Sequence, residues 1–92
     1  MDAKKLEILM TAVDLGSFSR ASEVVGYTQS GLTHLVNSLE REIGFPLIVR
    51  SHNGISLTEQ GRDLMPDIRQ FLQANASLEN RIQGIREKQT ET

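Results

Sequence analysis

Three short amphipathic segments, each followed by a glycine, occupy the first half of this 92-residue chain. Apolar residues recur at helical spacing within each segment, and the segments end at Gly16, Gly26 and Gly44. Glycine is the residue that most often closes a helix, because it adopts the left-handed conformation without a steric penalty. The spacing therefore predicts three short helices, and a chain of this length holds one small domain with a modest core.

Residues with short polar side chains stand where each helix is expected to begin. Asp2 is a good N-cap for the first helix, and either Ser17 or Ser19 serves the second. A tight turn is expected at residues 26–28, and its last residue, Thr28, is the expected N-cap of the third helix. The second and third helices are thus separated by only a tight turn, as in a helix-turn-helix.

Two β-prone runs, LIVRS and ISLT, follow the third helix and flank His52-Asn53-Gly54. An Asn-Gly pair between such runs predicts a hairpin with a type I′ turn, in which both central residues need a positive φ. Thr58 can then cap a long final helix that extends toward Glu87.

This order of elements is typical of a winged helix-turn-helix. We predict a mainly α fold, in which a three-helix body and a small β-hairpin wing precede a long linker or dimerisation helix. The expected boundaries are 1–58 for the winged helix-turn-helix domain, 59–88 for the linker helix and 89–92 for the tail.

Composition narrows the classes of function. The chain has no cysteine, which excludes disulfides and thiolate metal sites, and His34 and His52 are too isolated to form a metal site. Glu40 and Glu42 do not face each other on a helix and are interpreted as surface charge. We therefore predict neither an enzyme nor a bound cofactor or metal. No signal peptide and no apolar run of roughly 20 residues is present, so we expect a cytoplasmic protein without membrane contact.

The polar side of the third helix differs from an ordinary exposed helix face because it opens with small, mostly uncharged residues. In a helix-turn-helix the second helix of the pair enters the DNA major groove, where Gln, Ser and Thr side chains pair with base edges. Hydration or simple helix capping is the alternative for any one of these residues. The pattern as a whole predicts that a phosphate binds near the start of the helix. The residues predicted to contact DNA are Thr28, Gln29, Ser30, Thr33 and His34.

The hairpin would form a wing beside the groove, where Arg50 or His52 meets a phosphate or a minor-groove edge. For Arg50, structural bracing is an equally good interpretation, and Asn53 is equally well explained by the turn alone. The net charge of −2 favours a different class, a winged-helix protein-interaction module without DNA affinity. However, residues 24–39 contain no Asp or Glu, so the third helix would not repel phosphate.

The final helix carries a coiled-coil seam, since apolar residues recur at alternating spacings of four and three after Leu64. A domain of this size has little surface left to bury such a seam, so we predict a homodimer. Pro66 lies near the helix start and is expected to kink it or leave a carbonyl unbonded, which would divide the domain part from the dimer part. The predicted dimerisation residues are Ile68, Phe71, Asn75, Leu78, Ile82 and Ile85, of which Asn75 would fix the register.

The run GSFSRASEVVGYTQSGLTHLVNSLEREIGFPLIVRSHNGISLTEQG resembles the N-terminal DNA-binding domain of LysR-type transcriptional regulators. The matching positions include Gly16-Ser17-Phe18-Ser19, Ala21, Gln29, Leu39-Glu40, Gly44, Leu47, Arg50 and Leu57-Thr58 with Gly61.

The resemblance implies a bacterial regulator that binds a partly palindromic promoter site on double-stranded DNA as a dimer, often as a tetramer, with antiparallel linker helices. Its base contacts would come from the start of the third helix. Ser30 stands where the family usually has Pro, and Thr33 stands where Ser is common, which bears on the operator sequence. The resemblance further implies a C-terminal domain that senses a small-molecule effector, which these residues do not include. The chain is accordingly either a fragment or a stand-alone form.

Overall fold

Four helices and one antiparallel hairpin form the part of the chain that the computed structural model describes, residues 1–90. The predicted fold class is confirmed. In chain order the elements are α1 (Ala3–Leu15), α2 (Phe18–Val25), α3 (Gln29–Ile43), β1 (Ile48–Ser51), β2 (Gly54–Leu57) and α4 (Glu59–Thr90).

The starts of the first three helices follow from their capping residues. Side-chain oxygens of Asp2, Ser17 and Thr28 each accept a hydrogen bond from a backbone N–H in the first turn of the helix that follows. Ser17, and not Ser19, therefore begins α2. Such caps satisfy N–H groups that helical geometry leaves without a partner.

The apolar stripes of the helices meet in one core. α1 lies at its centre and packs against α2, α3, α4 and β2. Burial of each large apolar side chain contributes about 1.5–3 kcal/mol, so this core fixes which side of every helix faces inward. The largest fully buried side chains are Leu6, Leu9, Leu32, Leu39 and Leu47.

The hairpin turn differs from the predicted type I′ turn on Asn53-Gly54. Ser51 pairs with Gly54, so the two residues between them form the loop and Gly54 belongs to β2. Within residues 1–90 no residue other than glycine has a positive φ, so Asn53 is not in the required conformation. Gly54, with a φ of 122°, lies against the carbonyl oxygen of Gly16, where a side chain would clash. The Ile55 N–H donates to the same oxygen at 3.0 Å, and this contact with the α1–α2 turn sets the register.

Glu40 has a structural role, which corrects its interpretation as surface charge. Its Oε2 atom accepts the backbone N–H of Leu47 at 2.6 Å and that of Ile48 at 3.2 Å. The carboxylate thereby ties the end of α3 to the start of β1. Glu42, by contrast, is exposed and lies 3.5 Å from the amino group of Met1.

The start of α4 is fixed beneath the wing. The hydroxyl of Thr58 accepts the Gly61 N–H at 2.9 Å and donates to the Pro46 carbonyl at 2.7 Å, which confirms Thr58 as the cap. Gly61 is buried against the Leu47 carbonyl oxygen, where any Cβ atom would clash. The wing and the long helix therefore form one unit with the three-helix body.

Beyond its first turns α4 leaves the body of the domain. Ile68, predicted to be a dimer contact, is only 5% exposed and belongs to the core, because the helix lies against α1 at this point. An ion pair of 3.2 Å between Arg69 and Asp14 joins the same two helices. The helix is assigned without interruption through Pro66 and extends past Glu87 to residue 90. The first two residues of the predicted tail are therefore helical, and the last two lie outside the described residues.

No helix within residues 1–90 is both long enough and apolar enough to cross a lipid bilayer.

Candidate nucleic-acid interface

The start of α3 presents the predicted polar residues to solvent. Gln29, Ser30 and His34 are exposed, whereas the opposite side of the helix is buried in the core. The two sides are separated because apolar residues recur at helical spacing. The buried side consists of Leu32, Leu35, Val36 and Leu39.

The N-terminus of α3 is suited to a phosphate oxygen. Its first turn contains no acidic residue, and helical geometry leaves the N–H groups of Gln29 and Ser30 without an intrahelical partner. Thr28 is exposed, and its Oγ1 accepts the Gly31 N–H at 3.0 Å. A Cβ atom on Gly31 would lie 3.0 Å from that same oxygen, so glycine allows the cap to close tightly.

Thr33 is less free than the other polar residues of α3. Its side chain is half-buried, and its hydroxyl donates to the Gln29 carbonyl oxygen at 3.1 Å. The same hydroxyl oxygen accepts a hydrogen bond of 2.9 Å from Nη1 of Arg50. The guanidinium carbon of Arg50 also lies 4.5 Å from the centre of the Phe18 ring. The wing, α3 and α2 are therefore joined through one arginine.

A shallow cleft of about 260 Å³ lies between the starts of α2 and α3 and the wing. It brings together three of the predicted DNA-binding residues, Gln29, Arg50 and His52. Asn53 is exposed at the tip of the wing, outside this cleft. The remaining lining residues are Ser17, Phe18, Ser19, Ser51, Gly54 and Ile55.

The charge on this surface is compatible with a polyanion although the whole chain is acidic. No Asp or Glu occurs in residues 24–39 or in residues 44–58, which include most of α3 and the entire wing. Arg50 is exposed there and supplies a positive charge. The net charge of −2 therefore arises from other parts of the chain.

Phe18 is a member of this surface that sequence reasoning does not identify as a contact. It is the first residue of α2 and is buried, and its ring faces the Arg50 guanidinium. An aromatic residue directly after an N-cap is the only local signal. The pairing with an arginine in the wing is visible only in the tertiary structure.

A second exposed surface runs along α4. It consists of a row of residues that continues the heptad spacing beyond Ile68, and Asn75 within this row is half-buried. The large apolar residues of this row are Phe71, Leu78, Ile82 and Ile85, which are 45%, 59%, 39% and 48% exposed. We refer to Phe71, Asn75, Leu78, Ile82 and Ile85 together as the α4 stripe.

Known proteins resemble this chain in both sequence and fold. Residues 3–62 match the model of a bacterial regulatory helix-turn-helix protein of the lysR family. The HTH-type transcriptional regulator CzcR of Bacillus cereus is 34% identical over 73 residues, which are 79% of this chain and 25% of that protein. The regulator CrgA of Neisseria meningitidis is 30% identical over 86 residues, which are 94% of this chain and 29% of that protein. The chain thus spans about a quarter of the length of these relatives.

Among solved structures, the DNA-binding domain of CbnR in complex with DNA superimposes with a TM-score of 0.83 at 26% identity. The match covers 92% of this chain and 98% of that domain. With the family model matching well over half of the residues, the chain belongs to the lysR family of bacterial regulatory helix-turn-helix proteins.

Proposed function

We propose that this chain is a sequence-specific DNA-binding module of a bacterial transcription regulator and that it binds promoter DNA as a dimer. The start of α3 enters the major groove and the wing lies beside it. A module of this kind acts where the chromosome lies, in the bacterial cytoplasm, and its role is binding and not catalysis. We propose further, from the family resemblance alone, that a small-molecule effector would act through a further domain.

One observation carries the proposal: the outward side of the first two turns of α3 is polar and free of acidic residues, while the opposite side of the helix is anchored in the core. Base edges are read by short hydrogen-bonding side chains such as those of Gln29 and Ser30. Thr28 and the first N–H groups of α3 supply a phosphate site, and His52 and Asn53 are placed on the wing for further backbone contacts.

The test is selection of bound duplexes from a random pool with the purified chain, followed by titration of the selected duplex at several salt concentrations. A DNA-binding module enriches a shared sequence. The logarithm of its association constant falls linearly with the logarithm of salt concentration, and each phosphate neutralised adds about 0.9 to the steepness of the slope. A protein-interaction module would retain no duplex even at low salt.

Replacement of Gln29 by Ala is expected to weaken binding to the selected duplex by about 1–3 kcal/mol, as is typical when a base contact is lost. Binding to an unrelated duplex of equal length should change little, because backbone contacts remain. Gln70→Ala, an exposed glutamine on α4, is the matched control and should leave both affinities unchanged. Equal losses on both duplexes for Gln29→Ala would assign Gln29 to the DNA backbone instead.

The occupant we propose for the α4 stripe is the same stripe of a second copy. Four of the five seam positions from Phe71 to Ile85 carry exposed large apolar side chains, a pattern that is buried when two helices pair. Dimerisation would also supply two reading helices for the two halves of a palindromic site. The antiparallel arrangement of the two α4 helices is part of this proposal.

Asn75 lies at a seam position between Phe71 and Leu78, where a polar residue fixes register and lowers stability. Asn75→Ile is therefore expected to tighten self-association and to populate assemblies other than a single dimer. Sedimentation velocity across a range of concentrations measures both effects. An unchanged sedimentation profile would show that Asn75 lies outside the interface.

A further inference from the structure

Arg50 connects three elements of the proposed DNA-binding surface. Its Nη1 atom donates to Thr33 Oγ1 at 2.9 Å, and its guanidinium lies 4.5 Å above the centre of the buried Phe18 ring. An arginine within about 6 Å of a ring centre is held by the ring's negative face. The side chain is thus fixed on one side by α2 and at its tip by α3.

The hydrogen bonds of Thr33 determine what its side chain can offer to a base. A hydroxyl has one proton and two lone pairs. The proton is donated to the Gln29 carbonyl at 3.1 Å, and one lone pair accepts from Arg50. Only the second lone pair and the methyl group remain, so Thr33 in this state has no proton to donate to DNA.

We propose that Arg50 is a positioning residue for Thr33 and not a phosphate ligand. This inference rests on the proposed function. Arg50 stays on Thr33 and Phe18 when the domain binds DNA, and it holds the hydroxyl in the orientation described here. Thr33 then recognises a thymine methyl group or a base amino group, and it discriminates against guanine, whose major-groove edge carries only acceptors.

The competing behaviour is a departure of Arg50 from Thr33 to a phosphate oxygen. Its guanidinium carries five N–H donors and could bind a phosphate, and the residue is exposed to solvent, which leaves room for such a movement. The two behaviours predict opposite results for a lysine at this position. Lysine retains the charge and binds phosphate as a point charge, but it cannot reproduce the planar stacking on Phe18.

The experiment measures wild type, Arg50→Lys, Arg50→Gln and Phe18→Leu on the selected duplex and on an unrelated duplex of equal length, at several salt concentrations. We expect Arg50→Lys to weaken binding to the selected duplex about tenfold, the loss typical of one base contact, with little change on the unrelated duplex. The salt dependence should stay the same because no phosphate contact is lost. Phe18→Leu should shift the ratio of the two affinities in the same direction, with thermal unfolding measured alongside to verify that the variant is folded.

A Thr33→Val background separates positioning from a general structural effect. Valine keeps a methyl group but removes the hydroxyl, so Arg50→Lys should have no further effect on the ratio of affinities in this background. A tenfold effect of Arg50→Lys that persists there would overturn the proposal, because Arg50 would then act without Thr33.

The remaining outcomes distinguish the two levels of inference. If wild type binds the selected duplex and Arg50→Lys matches it on both duplexes, the guanidinium does not position Thr33, and only the proposal about Arg50 fails. If Arg50→Gln lowers both affinities equally and makes the slope of affinity against salt shallower by about 0.9, Arg50 binds a phosphate, and again only the proposal about Arg50 fails. If wild type binds no duplex, the proposed function fails, and the role of Arg50 fails with it.

Discussion

Replacing Ile82 by Asp is expected to convert the protein from dimer to monomer across the micromolar range. Ile82 lies between Leu78 and Ile85 in the α4 stripe and is the least exposed of its large apolar members, at 39%. An unpaired carboxylate costs several kcal/mol to bury, and the substitution places one on each copy. We therefore expect the concentration for half-association to rise by a factor of roughly a hundred or more, measured by sedimentation equilibrium.

The same variant should lose affinity for DNA only where two half-sites are present. Two linked binding modules gain a factor of about 10²–10⁴ from effective concentration, and a monomer forfeits that gain. Binding to a duplex with a single half-site should stay at the wild-type level because Ile82 lies on the part of α4 beyond the core of the domain. This comparison separates loss of pairing from loss of the reading surface.

Asn80→Asp is the matched control for Ile82→Asp. Asn80 is exposed two residues earlier on α4 and lies off the stripe, and the change adds the same charge. This variant should remain dimeric and bind the palindromic duplex like wild type. Persistence of the dimer in Ile82→Asp would place the interface on another surface of the molecule.

Glu40→Ala is expected to lower the free energy of unfolding by about 2–3 kcal/mol, because two backbone N–H groups lose a charged acceptor. One of them belongs to Leu47, which is fully buried, so water does not easily replace the carboxylate. For a domain of this size the loss corresponds to a fall in Tm of roughly 10–20 °C. Thermal unfolding followed by circular dichroism, at one fixed protein concentration, measures it.

Two neighbouring substitutions test the cause. Glu42→Ala removes a carboxylate that is half exposed and paired only with the amino terminus among the contacts described here, so it should change stability by at most about 1 kcal/mol. Glu40→Gln keeps an acceptor oxygen without the charge and should recover part of the loss. Equal effects of Glu40→Ala and Glu42→Ala would return Glu40 to the class of surface charges.

Features governed by near neighbours in the chain were correctly predicted from the sequence. The caps at Asp2, Thr28 and Thr58 and the closing residues of the first three helices depend on hydrogen bonds and φ angles within one helical turn. The buried stripe of α3 follows from helical periodicity in the same way. Elements with their own local signals therefore had predictable positions, and their order along the chain indicated the winged helix-turn-helix.

The candidate site was predictable as a surface but not in its internal contacts. The exposure of Gln29, Ser30 and His34 follows from the position of the apolar residues on the opposite side of α3. The hydrogen bond from Arg50 to Thr33 joins residues 17 positions apart. Neither hydrophobic periodicity nor secondary-structure propensity predicts a contact of this kind.

The helices, their inward faces, the presence of a hairpin and the polar start of α3 could all be predicted from the amino-acid sequence, since each depends on interactions among nearby residues. Packing between elements was needed to show that Glu40 joins α3 to β1, that the hairpin turn precedes Gly54, and that Ile68 belongs to the core and not to the α4 stripe. In each of these cases the deciding partner lies in another element. A carboxylate, a glycine or an isoleucine has the same local signature whether that partner is near or far, and packing alone brings the partners together.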